Sequence, residues 1–256
     1  MKQQAVVDRQ FGSTASAYLT SAVHAQGADL KAIQEIAQRL HGAALPQVLD
    51  LGCGAGHVSF ALSPYAAAIT AYDLSQQMLA VVDAAAQDKG FSNIGTRQGM
   101  AERLPFDDGA FDLVVTRFSA HHWQDVPAAL KEVRRVLRTG GIAVVCDIIA
   151  PEAPLHDTTL QAVELLRDAS HVRDYRVSEW LAMLAAAGLR AEQKSGWKLV
   201  MQFDDWVARM RTPTERIVAI RSLFDSAPDE TSAYFAVQPD YSFSIDGALF
   251  EAAKAT

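Results

Sequence analysis

The chain has 256 residues, half of them hydrophobic, with 30 acidic against 23 basic side chains and a net charge of −7. That length supports one large domain with a substantial core, and no apolar run reaches the roughly 18 residues of a membrane-spanning helix. The acidic balance and the lack of a dense Lys/Arg run argue against generic binding to nucleic acid, so no DNA partner is expected.

The first forty residues look helical. Phe11, Ala15, Tyr18 and Leu19 recur at spacings of three and four, and Leu30, Ile33, Ile36, Ala37 and Leu40 make a second stripe, with Thr20–His24 a loop or helix start between them. This segment either packs on a sheet edge or folds Phe11, Tyr18 and His24 over a ligand. After Gly42 a short apolar strand ends at Asp50–Leu51, and Gly52-Cys-Gly54-Ala-Gly56-His57 follows. Three glycines alternating with small residues bring bare backbone close to a ligand before a helix opens over Val58–Leu62. By itself the loop allows a nucleotide, a dinucleotide or a mere turn. The dinucleotide fingerprint needs its third glycine where His57 stands.

Strand two, Ala68–Asp73, ends on a carboxylate roughly 20 positions after Asp50, the offset that places an acid on a ribose in dinucleotide folds. Ser75 caps a helix to Gln87. Ile94–Gln98 and Phe111–Thr116 are strands three and four, separated by Gly99–Glu102 and a turn over Leu104–Gly109. A helix over Val126–Leu137 stops at Thr139–Gly140–Gly141, glycine being the usual helix stop, and strand five is Ile142–Ile149. Strands alternating with helices across short links predict a parallel, doubly wound α/β sheet, whose ligands sit at the carboxyl ends of its strands. The glycine loop, Asp73, Met100–Glu102 and Arg117–Trp123 all fall on that edge. The only cysteines, Cys53 and Cys146, lie in buried strand or loop positions and read as reduced thiols; with no signal segment after Met1–Ala5, a cytoplasmic location is expected.

Val48-Leu-Asp-Leu-Gly-Cys-Gly-Ala-Gly56, Asp73-Leu-Ser-Gln-Gln-Met78-Leu and Ala101-Glu-Arg-Leu-Pro-Phe106, with Phe111–Val115 and Val136–Gly141, resemble the motifs of class I S-adenosylmethionine-dependent methyltransferases. The resemblance is to the type 11 group, which includes ubiquinone/menaquinone C-methyltransferases, and covers roughly residues 45–150. It implies a Rossmann-like, seven-stranded sheet, mostly parallel with an antiparallel last strand, helices on both faces and a helical cap. It also implies S-adenosylmethionine as donor, leaving as S-adenosylhomocysteine. The cofactor-binding set it implies begins with Phe11 and Tyr18 as a lid. Asp50, Gly52, Cys53, Gly54 and Gly56 form the loop, and Asp73 takes the ribose. Leu74, Met78, Met100, Ala101 and Glu102 surround the adenine, with Arg117 near the methionine moiety. Many relatives have an aspartate where this chain has Met100, which leaves that bond to Glu102, backbone or water.

Methyl transfer from a sulfonium needs alignment and water exclusion more than acid–base chemistry. An acidic acceptor still needs a base, and His121 or His122 in Ser119-Ala-His-His-Trp123 fits that role; the alternative is a structural His-His-aromatic turn. No further His/Cys set stands at ligand spacing, so no metal is expected. Substrate contacts are expected from Tyr18, His24, His122, Trp123 and Trp206.

Beyond Pro151, Asp157–Ser170, Val177–Ala187, Phe203–Met210 and Thr214–Phe224 read as helices, Leu189–Met201 as a sixth strand and Tyr241–Ala252 as the last. The chain thus divides into an N-terminal helical lid over 1–42, a cofactor-binding core over 43–150 and a C-terminal half over 151–256 with a cap insert about 203–237. The expected activity is methyl transfer to a small aromatic or lipid-like molecule, by a monomer or homodimer. The alternatives are an RNA or protein methyltransferase and a cofactor-binding protein without transfer activity.

Overall fold

The structure, a computed structural model, describes residues 2–12, 27–40 and 44–254. Tyr18 and His24 lie outside the described residues. Helices α1 (Gln3–Gly12) and α2 (Ala28–Arg39) come first. There follow β1 (Gln47–Leu51), α3 (His57–Leu62), β2 (Ala68–Asp73), α4 (Gln76–Lys89), β3 (Ile94–Gln98) and β4 (Phe111–Arg117). Helix α5 (Val126–Val136) then runs into β5 (Leu137–Ala150). The C-terminal half holds α6 (Pro154–Arg167), β6 (Tyr175–Arg176), α7 (Val177–Ala186) and β7 (Leu189–Met201). It closes with α8 (Phe203–Arg209), α9 (Thr214–Asp225), α10 (Asp229–Tyr234) and β8 (Phe243–Lys254).

The sheet order is β3-β2-β1-β4-β5-β8-β7, parallel except for β8, which runs antiparallel to both of its neighbours. This is the expected Rossmann-like arrangement with an antiparallel last strand. The two-residue β6 pairs with β5 at Ile149 and Ala150, beyond the last register position of β4 at Cys146. Strand side chains alternate between faces. Leu49, Leu51, Val114, Val145 and Phe250 therefore pack with Leu130, Val133, Trp180 and Leu184 on one face. Val48, Leu113, Val115, Val144 and Cys146 pack with Ile33, Ile36 and Leu62 on the other. A third cluster joins α6, α8 and α9 to β8 through Leu160, Trp206, Phe224 and Phe243.

Several local expectations need correcting. Gly140 and Gly141 do not stop a helix: α5 ends at Val136, and Leu137 is already extended. The strand starts there because Phe111 pairs with Leu137, and the register then slips so that Leu113 faces Ile142, with Gly140 at φ +76 inside the bulge. Ser75 occupies the N-cap of α4 without a side-chain cap bond; its hydroxyl donates to Gln77 Oε1 at 3.2 Å instead. Helix α6 begins and ends earlier than its apolar pattern predicts, which frees Asp168–Asp174 as an irregular segment beside the site.

Candidate active site

Strands β1, β2 and β4 end on one sheet edge, at the point where strand order reverses. A cleft of about 1120 Å³ opens there, and the glycine loop is its floor. Gly52, Gly54 and Gly56 have φ of +74, +50 and +85, a region that costs other residues about 1–2 kcal/mol. Their reasons differ. A Cβ on Gly52 would stand 1.9 Å from Ser119 Oγ, and one on Gly56 would stand 2.9 Å from the Phe60 ring. A Cβ on Gly54 would meet nothing within 4 Å, so its bare backbone faces open space. Gly56 is not among the cleft-lining residues, contrary to expectation; it packs between Phe60 and Val82 and starts α3.

The acids at the strand ends fix this loop. Asp50 Oδ2 accepts the Ser59 backbone N–H at 3.0 Å and the Ser59 hydroxyl at 2.6 Å, tying β1 to α3. Burial pushes its carboxyl up to about 7, the two Ser59 donors offsetting only part of that rise. Asp73 Oδ2 accepts the Gly54 N–H at 2.8 Å and Oδ1 the Ser75 N–H at 2.9 Å. Burial raises this carboxyl too, against those backbone donors. Each oxygen retains acceptor capacity toward the cleft.

Cys53, Leu74, Met78, Met100, Ala101 and Glu102 line the same cleft. Glu102 Oε1 accepts the backbone N–H groups of Gln124 and Asp125 at 3.0 and 3.3 Å, so it also anchors the segment after Trp123. Arg117 lines the cleft but is buried, with Nε donating to Asp29 Oδ2 at 2.5 Å and the guanidinium 4.7 Å from the Phe118 ring. It is thereby fixed to α2. Phe118 itself sits at φ +50 just past β4. Trp123, for which a substrate contact was expected, lines the cleft and donates its indole N–H to Ser119 Oγ at 3.2 Å.

Helix α1 crosses the cleft. Gln4 Nε2 donates to Met100 Sδ at 2.9 Å, Gln3 Nε2 to Ser170 O at 2.6 Å, and the Phe11 ring lies edge-on to His122 at 4.9 Å. Phe11, Phe118 and His122 line both this cleft and a second cavity of about 730 Å³. Leu199, Met201, Trp206 and Ile245 form the apolar part of that cavity, and Arg167, Asp168, His171 and Asp174 a polar end. Trp206 is fully buried, edge-on to Phe243 at 4.9 Å.

The two histidines differ in setting. His121 borders only the second cavity, with Nδ1 2.7 Å from Asp147 Oδ1. Burial would lower its pKa, but the Asp147 charge and hydrogen bond lift it to about 9. Burial, reinforced by the charge on His121, brings His122 down to about 4. Among the described residues no cluster of three metal-ligating side chains occurs. The residues that sequence reasoning missed include Gln4, Tyr72 and Ser119 in the cleft, and Asp147, Asp168, His171 and Asp174 in or beside the second cavity. Asp147 had a legible signal, a lone acid within the apolar run Val144–Ile149.

Residues 49–145 match the methyltransferase domain family. The chain is 48% identical over 204 residues to the protein called "Uncharacterized protein YafE" of Escherichia coli, covering 80% of this chain and 99% of that one. It is 37% identical over 250 residues to the "Uncharacterized methyltransferase YcgJ" of Bacillus subtilis, covering 95% and 97%. The solved structure of that protein superposes with a TM-score of 0.84 over 89% of this chain and 98% of its own, at 36% identity. A demethylmenaquinone methyltransferase of Chlorobaculum tepidum is 33% identical over 121 residues, about half of each chain. With its glycine cradle, strand-end acids and sheet order, the chain belongs to the class I S-adenosylmethionine-dependent methyltransferases.

Proposed function

We propose that this methyltransferase acts on a small aromatic or lipid-like acceptor, at carbon or oxygen, held in the second cavity. The observation that carries the reading is that this cavity opens off the donor cleft through Phe11, Phe118 and His122. Its mixture of apolar walls with a few polar groups suits a small organic molecule. The similarity to a demethylmenaquinone methyltransferase, an enzyme named for a quinone-type substrate, supports the same class.

The donor-side residues fit S-adenosylmethionine in chemistry. The Gly54 backbone leaves room for the methionine moiety, and Asp73 offers a carboxylate to the ribose diol. Leu74, Met78, Met100 and Ala101, which line the same cleft, would pack around the adenine. Bound there, the cofactor supplies an electrophilic methyl group on a sulfonium. The chain's own work is to orient the donor, to exclude water under α1 and to present the acceptor at the junction of the two spaces. In this reading α1 is the lid, and the insert after β7 contributes Trp206 and Met210 to the acceptor wall.

Calorimetry with S-adenosylhomocysteine tests the donor half, and no binding down to the millimolar range would overturn it. Labelled methyl transfer then tests the acceptor half: label is expected in small organic-extractable products. Label confined to bulk RNA or protein would refute the small-molecule reading.

A further inference from the structure

Two adjacent imidazoles stand where the donor cleft meets the second cavity, each with one nitrogen tied down. Asp147, buried in β5, accepts the Ala120 N–H at 3.0 Å and the Ile148 N–H at 2.9 Å, and holds His121 Nδ1 at 2.7 Å. His122 Nδ1 lies 3.2 Å from the Ser170 carbonyl oxygen and 3.3 Å from the Ser170 hydroxyl, whose own hydrogen goes to Asp168 Oδ1 at 2.6 Å; both oxygens then accept, so this nitrogen carries the hydrogen and Nε2 the lone pair. Neither Nε2 has a hydrogen-bond partner among the described residues. The ring centroids are 4.2 Å apart, which opposes a second proton beside the first. Near neutrality the pair therefore holds one proton, on His121, where Asp147 favours it.

The other charged groups on this cavity are already committed or silent. Arg167 pairs with Glu164 at 3.2 Å, and Asp168 Oδ1 accepts the Ser170 N–H and hydroxyl at 2.7 and 2.6 Å. Burial, with the two neighbouring histidines, pushes His171 down to about 2, and burial raises the Asp174 carboxyl well above its usual range. His171 is thus neutral near pH 7, and burial favours the uncharged form of Asp174. Arg209 lies on the wall near Trp206 and Met210. Of the cations, His121 is the one whose ring contacts His122 and so stands next to the junction.

Resting on the reading that the acceptor occupies the second cavity, we propose that His121, positioned by Asp147, is the counter-cation of the acceptor site, and that the acceptor bears an acidic hydroxyl, phenolic or enolic, which binds as its anion. His121 already holds its proton, so the acceptor's own proton leaves to water on binding. The oxygen anion then rests against the His121 Nε2–H in a charge-assisted bond. In the transfer, the bond from the methyl carbon to the acceptor oxygen, or to the conjugated carbon of an enolate, forms as the sulfur–carbon bond breaks. The electron pair stays on sulfur, so the cationic donor and anionic acceptor both end neutral, and one proton per turnover has been released. His121 keeps its proton throughout. Asp147 is a positioning residue.

4-Nitrophenol, whose anion is coloured, is the probe. It is titrated into the full chain loaded with S-adenosylhomocysteine, across pH, with absorbance and equilibrium binding read together. Bound probe is expected to ionise at a pH about one unit or more below its value in water, the size of effect a single nearby charge produces. His121→Gln and Asp147→Asn should each abolish that lowering while the probe still binds; His122→Gln should keep it. Asp147→Asn retains an oxygen for only one of the two backbone donors, Ala120 N–H on Oδ2 or Ile148 N–H on Oδ1, so thermal unfolding is used to confirm that each variant is folded. A bound probe that ionises as in water, or a lowering that survives both His121→Gln and Asp147→Asn, overturns the role of His121. A probe that does not bind, or whose binding ignores Ile245→Trp filling the cavity, instead overturns the placement of the acceptor, while S-adenosylhomocysteine binding is scored separately.

Discussion

Asp73→Ala is the sharpest test of the donor cradle. In the wild type both carboxylate oxygens are held in place by backbone donors, Gly54 N at 2.8 Å and Ser75 N at 2.9 Å, and Asp73 lines the cleft. Two hydrogen bonds from ribose hydroxyls to a fixed carboxylate are worth about 1.5–3 kcal/mol each, and water entering the variant's site recovers part of that. The expected loss is about 2–4 kcal/mol, or roughly 30- to 1000-fold in Kd for S-adenosylhomocysteine. Folding should suffer less, about 1 kcal/mol for each backbone donor left to water. Calorimetry at pH 7.5 reads the first effect and denaturant unfolding the second. A folded variant whose Kd stays within about threefold of wild type, near 0.6 kcal/mol, would refute the ribose assignment. Because burial raises the Asp73 carboxyl, acid should weaken binding in the wild type and have much less effect in the variant.

The glycines should separate by cause. Gly54→Ala adds a Cβ into open space, so stability should fall only by the left-handed strain of about 1–2 kcal/mol, while S-adenosylhomocysteine binding falls further because the cradle is filled. Gly52→Ala should lose more stability, since its Cβ would lie 1.9 Å from Ser119 Oγ; equal losses at the two sites by denaturant unfolding would refute this distinction. Asp50, with its carboxyl at about 7, carries a buried charge at alkaline pH and none at pH 5. A raised carboxyl contributes stability below its unfolded range and loses it as pH rises through the folded value, at most about 4 kcal/mol here. Asp50→Asn should therefore raise Tm at pH 8.5 relative to wild type and lose that advantage at pH 5; a pH-independent difference would count against a charged Asp50.

The donor half was legible because its parts lie next to each other in sequence. A strand-end acid, a glycine loop and a second strand-end acid follow a sheet edge, and local chemistry names each of them. The second cavity is assembled from β5, α6 and the segment after it, β7, α8 and β8, which only the fold brings together. Trp206 lines the second cavity and Trp123 the cleft, where it turns toward Ser119, and nothing local in the sequence distinguishes the two. Gly140 and Gly141 illustrate a different limit. Glycine after a helix usually marks its stop, but here the same freedom serves a bulge created by strand pairing. The roles of His121 and His122 depend on Asp147 and Ser170, 26 and 48 residues away, so no reading of His-His alone separates them.

Phe11 has a consequence for the order of events. One ring on α1 lines the donor cleft and the second cavity together, so displacing that helix unseals both at once. If α1 is the lid proposed above, admission of a fresh donor and departure of a methylated product are one movement rather than two. A ligand that braces α1 against His122 should then slow exchange at both ends of the catalytic cycle.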